Sequence, residues 1–403
     1  MSRADTTSIF QLKNQAPIYL MGLGHGATHW IAATFTILLP LMTEDLGLSY
    51  TEAGLLYSIF YVSSFAANFG SGVVVDVTGR KVIFQILSLV VGAGALAVFG
   101  ITGLYLVLAA MVALIGATNN LWHPPAIAFI SERYPDHRGY ALSIHATGAS
   151  VGDMIAPSLV GLLLISFSWQ GAAAVSTLPV LLVVLIFLFY LMPMDRPAPG
   201  VARKTMGVRE YFGGLGVLVR SRAVLGLCLM ASFRSTAQVG LVMFLPLYLY
   251  DVLKVSPWLM GLAITGMHLG GVIVSPIAGT ISDRIGRRPV VMSGLTATTI
   301  IILLLPFIPD ATVFITAVAV LGFVLYAVRP VIHSWMMDLA PPEVAASATS
   351  LLFGTQAALS VLMPLIGGAV ADAYGLKEVF YVIAGIMLVA NLTVNLLPRP
   401  EAK

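Results

Sequence analysis

Five side chains in the first half of the chain have the types needed for proton or metal chemistry: His25, His29, His123, His145 and Asp153. His25 and His29 are four residues apart, so on a helix they share one face. Each lies in an apolar run, where an ionisable group costs ~2.5–3.5 kcal/mol at mid-bilayer unless it has a partner, an aqueous cavity or a function. Asp153 is the sharpest case. A carboxyl group held among apolar residues favours its neutral form, which makes it the expected site for binding and releasing a coupling proton. The second half carries two deep cations, Arg234 and Arg329, with Gln238 one turn after the first and Tyr326 just before the second. Neither arginine has an acid beside it in sequence, so an anionic substrate or an acid on another helix is the expected counter-ion.

Helices of membrane-spanning length must position these groups. Hydrophobic residues make up 58% of the 403 residues and charged residues 10%. The mean hydropathy is +0.94. Such a chain is solvated by lipid. Twelve apolar spans are expected, at 17–42, 50–75, 80–101, 103–131, 139–166, 168–193, 222–250, 256–282, 287–308, 310–337, 343–371 and 376–398. The span from Pro17 follows a polar start and runs on into the repeat described below, so a cleaved signal peptide is not expected. Counting ~1.5 Å per residue from the helix ends places His25, His123 and His145 at similar depth, with His29 and Asp153 about one turn deeper. The five are expected to line one pocket, joined by Asn119 and Asn120. His268 and His333 stand apart, with structural or gating roles expected.

Basic residues set the orientation. With the N-terminus inside, seventeen Lys and Arg residues fall on the cytoplasmic side and two, Lys254 and Lys377, on the outer side. This asymmetry predicts cytoplasmic termini by the positive-inside rule. Residues 194–221 read as a cytoplasmic linker between bundles at 1–193 and 222–403. No soluble domain carries a basic patch for nucleic acid, no Walker phosphate loop is present, and no cofactor is implied. Cys228, the only cysteine, excludes an internal disulfide.

The chain repeats itself at half its length. Gly72, Asp76, Gly79, Arg80 and Lys81 recur 207 residues later as Gly279, Asp283, Gly286, Arg287 and Arg288. Pro157 and Pro364 have the same offset. Two copies at half the chain length mean an internally duplicated membrane protein. Gly72 and Gly279 would let helices approach closely. Lys81 and Arg288 read as basic anchors at the cytoplasmic surface.

Six plus six spans, with Gly-x-x-x-Asp-x-x-Gly-Arg-Lys/Arg after the second and again after the eighth, resemble the major facilitator superfamily. That resemblance implies two pseudo-symmetric six-helix bundles and an all-α membrane fold. It also implies a gating role for Gly72, Asp76, Arg80, Gly279, Asp283 and Arg287, as a latch of the outward-open state. In that fold the first, fourth, seventh and tenth spans surround a central cavity. Here the intramembrane ionisable residues fall on the first, fourth, fifth, seventh, eighth and tenth spans, and the third, sixth, ninth and twelfth have none. Within the superfamily the chain resembles the fosmidomycin-resistance branch of drug exporters. The matching residues are Gly24 and His25, then Leu121, Trp122, His123 and Pro124, then 139–152 with Pro157, and Leu352, Phe353 and Gly354. Thr28 and His29 depart from the Asn-Asp pair usual there. The fifth span resembles a degenerate antiporter signature, with Gly148, Gly152, Pro157 and Gly161 in place but Ala156 and Val160 where glycines are usual.

Together these features predict a proton-coupled secondary transporter that works as a monomer and exports a small polar or anionic compound. A carrier of a divalent metal or metal chelate through His25, His29, His123, His145 and Asp153 is the rival within transport. A non-transporting membrane sensor is the rival outside it. An enzyme is not expected: His25-x-x-x-His29 lacks the intervening Glu of a zincin helix.

Overall fold

The computed structural model describes residues 12–78, 80–195, 216, 218–340, 345–395 and 397. The described residues are almost entirely helical, because in lipid each backbone N–H and C=O must find its partner within its own segment. The helices are α1 (Leu12–Asp45), α2 (Tyr50–Thr78), α3 (Val82–Phe99), α4 (Tyr105–Leu121), α5 (His123–Arg133), α6 (Arg138–Leu163), α7 (Trp169–Val175) and α8 (Thr177–Ile186). The second repeat supplies α9 (Arg222–Leu247), α10 (Pro257–Ile285), α11 (Arg287–Leu304), α12 (Ala311–Leu339), α13 (Ala345–Ser360), α14 (Leu362–Tyr374) and α15 (Leu376–Val394). Eleven helical runs among the described residues are long and apolar enough to cross a membrane, several of them built from consecutive helices. The twelfth expected span, 50–75, is α2, whose 29 residues extend about 44 Å.

The interruptions have local causes. Pro124 and Pro125 lack the N–H groups that would continue α4, so the helix breaks at Trp122 and α5 restarts at His123. Ser256 caps α10, its Oγ accepting from the Leu259 N–H at 3.4 Å, and Pro257 follows at the first helical position. Asp310 caps α12 in the same way, accepting from the Val313 N–H at 2.9 Å. Gly286, the second glycine of the repeated motif, turns the chain between α10 and α11 at φ +94°, a conformation that side-chain-bearing residues rarely adopt.

Two compact units emerge, residues 1–38 with 62–202, and residues 39–61 with 203–403. The tip of the first helical hairpin thus belongs to the second unit. There the Asp372 carboxylate accepts from the Tyr50 N–H at 2.8 Å, the Thr51 N–H at 2.9 Å and the Thr51 hydroxyl at 2.6 Å, satisfying the first turn of α2. Tyr50 donates to Asp251 at 3.0 Å and Tyr250 to Glu44 at 2.5 Å. A Cβ on Gly368 would strike the Tyr50 carbonyl, so this packing needs bare backbone. Most of the linker expected at 194–221 lies outside the described residues, as do Gly79, the surroundings of Gly72 and the side chain of Asp76.

Candidate functional site

The first unit brings the four expected histidines and Asp153 together through glycine. On α1, Gly22 and Gly26 face α6, where a Cβ on Gly148 would overlap the Gly22 carbonyl and one on Gly152 the Gly26 carbonyl. Helix backbones in direct contact let short side chains reach across. Gly24 serves a second neighbour: a Cβ there would overlap the Trp122 ring, which is fully buried and lies 5.7 Å from the Phe187 ring.

His25, only 6% exposed, is the hub. Its Nδ1 lies 2.9 Å from the carbonyl of His145. A carbonyl only accepts, so Nδ1 carries the hydrogen and Nε2 presents a lone pair. That Nε2 lies 3.2 Å from Nε2 of His123. The His145 ring stacks on His25 at 4.1 Å between centroids, and the His29 ring meets it edge-on at 4.9 Å. His29 in turn sets its Nδ1 2.9 Å from Oδ1 of Asp153, with both side chains partly exposed. The carboxyl expected to carry a proton is therefore half of a pair with His29, a partner that spacing alone did not identify.

Asn120 points elsewhere. Its amide donates to the Ser64 carbonyl at 3.0 Å and also contacts the Ser64 hydroxyl, tying α4 to α2. Asn119 is half-buried and has no hydrogen-bond partner among the described residues.

In the second unit Arg234 is 3% exposed on α9 and donates from Nη2 to the Leu325 carbonyl at 2.8 Å. Its Nε has no acceptor among the described residues. Arg329 and Tyr326 of α12 are its electrostatic neighbours, and both arginines lie close enough to His333 to act on it electrostatically. Among the described residues neither arginine forms an ion pair with a carboxylate. Gln238 lies one turn along α9, half-buried. His268 turns back to the Ile264 carbonyl at 2.9 Å and packs on Tyr326, while His333 packs edge-on against Phe353.

The repeated motifs also acquire partners. Arg287 donates to Asp338 at 2.9 Å and to Ser282 at 2.7 Å, and pairs with Asp283. Among the described residues no atom lies within 4 Å of a Cβ added at Gly279, so the close approach expected there is not found among them. In the first copy Arg80 is exposed, whereas Lys81 is buried and pairs with Glu132 at 2.6 Å. Asp195 accepts from the Lys81 and Ile83 N–H groups at 2.9 and 3.2 Å, capping α3. Lys81 is thus more than a surface anchor. Arg288 likewise reaches the Leu397 carbonyl and Asn395. Sequence reasoning missed Glu132, Asp195, Asp338 and Asp372; their only signal was an acid at a helix end.

Comparison with known proteins agrees with this architecture. The sequence profile of the Major Facilitator Superfamily matches residues 21–270 and 253–403. The chain is 27% identical to the multidrug resistance protein MdtG of Klebsiella pneumoniae, covering all of this chain and 98% of that protein. It is 26% identical to MdtG of Citrobacter koseri over 87% of each chain. Among solved structures, a bacterial homologue of the human lysosomal transporter Spinster, inward-facing and unoccupied, superposes with a TM-score of 0.82 at 15% identity, covering 96% of this chain and 99% of that one. The nucleoside transporter NupG gives 0.77 at 14% identity, covering 94% and 98%. With the profile spanning nearly the whole of a duplicated, membrane-embedded helical chain, this protein is an integral membrane transporter, not an enzyme, and belongs to the Major Facilitator Superfamily.

Proposed function

We propose that this transporter exports a small anionic or zwitterionic organic compound across a bacterial cytoplasmic membrane in exchange for protons, as a monomer with both termini in the cytoplasm. The observation that carries the substrate class is Arg234. A buried guanidinium with one arm on a backbone carbonyl and an unsatisfied Nε holds a charge that needs an acceptor. Arg329 beside it adds positive potential. An anionic group on the substrate satisfies both arginines. The multidrug resistance proteins named above support export as the direction, and the seventeen-to-two distribution of basic residues supports the orientation. Protons are the coupling ion we assign because a secondary exporter must draw on an ion gradient of its membrane.

Binding and transport by the purified full chain test this reading. Arg234→Gln and Arg329→Gln keep some hydrogen-bonding capacity but lose charge and the guanidinium fork. Each is expected to weaken binding of anionic compounds at least tenfold, and wild-type proteoliposomes should transport faster under an imposed pH gradient. Full affinity for every bound compound in both folded variants would remove the arginines from the site. Transport indifferent to the gradient would remove the proton.

A further inference from the structure

We propose that His25, His29 and His123 form a binding site for one divalent cation of the zinc class, inside the first unit and built from none of the arginines. One nitrogen from each of the three side chains lies within 4.8 Å of the others. Hydrogen bonds fix the tautomers of two of the three rings. His25 commits Nδ1–H to the His145 carbonyl and His29 sets Nδ1 against the Asp153 carboxylate, so both rings offer Nε2 as a lone-pair donor. A carbonyl or carboxylate behind a ligating imidazole is the usual means of fixing its tautomer and raising its basicity.

The spacing agrees. Two nitrogens bound to zinc at about 2.0–2.1 Å in a tetrahedron stand about 3.3 Å apart, and the Nε2 atoms of His25 and His123 are 3.2 Å apart. Two lone pairs facing each other at that distance repel, so either a hydrogen is shared between them or a cation replaces it. Three imidazoles with no thiolate suit Zn²⁺, Ni²⁺ or Co²⁺ and disfavour Mg²⁺ and Ca²⁺, which prefer oxygen. The partial exposure of His29 and Asp153, 24% and 32% for their side chains, gives the ion a way in and leaves room for water as a fourth ligand. The stacked His145 and the buried Trp122 hold the His25 ring from behind. Asp153 in this arrangement is a positioning residue, orienting His29 without touching the ion.

The test uses the detergent-purified full chain, freed of any affinity tag and stripped with a chelator, then titrated with Zn²⁺ by calorimetry and with Co²⁺ by absorption. One saturable equivalent is expected, with the visible spectrum of tetrahedral cobalt. His29→Gln and His123→Gln should each weaken zinc binding ~100-fold or more, and Asp153→Asn should weaken it ~10–100-fold, as loss of an outer partner does. Arg234→Gln should leave it unchanged, which separates this site from the export reading. If the hub variant His25→Ala does not fold, the other two histidine variants decide the matter. No saturable binding by wild type, or one equivalent that survives both Gln variants, would overturn the proposal.

Discussion

The backbone of Gly152 on α6 lies directly against that of Gly26 on α1, and this contact sets the reach between His29 and Asp153. Three residues beyond Gly26, His29 meets the side chain that follows Gly152. A larger residue at 152 must push the helices apart and break that pair. Gly152→Val is therefore expected to cost about 1–3 kcal/mol through overpacking and to lower the thermal transition of the solubilised protein. Gly94→Val, at a position where an added Cβ meets nothing within 4 Å among the described residues, is the matched control. Equal tolerance at the two positions would mean that α1 and α6 do not touch through glycine.

The second prediction concerns the cytoplasmic motif. Arg287 gathers Asp283, Ser282 and Asp338 at the junction of α10, α11 and α12. Reversing charge with Asp283→Lys places two cations side by side and frees α10 from α11. Turnover in proteoliposomes is expected to fall several-fold while substrate affinity in detergent stays within about twofold, because the arginine cluster lies elsewhere. Unchanged turnover in a folded Asp283→Lys protein would reduce the motif to a loop anchor.

Topology gives the third. In a background with Cys228→Ala, cysteines placed at Thr205 and Asp310 should react with a membrane-impermeant thiol reagent from opposite sides, Thr205 from the cytoplasm and Asp310 from outside. Cys228 itself is buried and its removal is expected to be well tolerated. Labelling of both positions from outside would dispose of the orientation drawn from basic residues.

Much of this protein was determined by sequence alone, because the features concerned are local or repeat at long range. Apolar runs report lipid solvation residue by residue, the 207-residue offset reports duplication, and four-residue spacing puts His25 and His29 on one face whatever surrounds them. Depth along a helix is also a matter of counting, which is why His25, His123 and His145 were expected at one level, with His29 and Asp153 about one turn deeper, around one pocket. Rotation and pairing are different. Successive helix residues turn by about 100°, so the neighbour that a side chain meets depends on how two helices are set against each other. Only the tertiary structure decided that Asp153 pairs with His29, that His25 is fixed by the His145 carbonyl, and that Asn120 is taken up by Ser64. It alone joined Lys81 to Glu132 and Tyr50 to Asp372, residues 51 and 322 apart in the chain. Those choices follow from where glycine lets backbones touch and where a buried charge finds its acceptor, and neither can be read along a single strand of sequence.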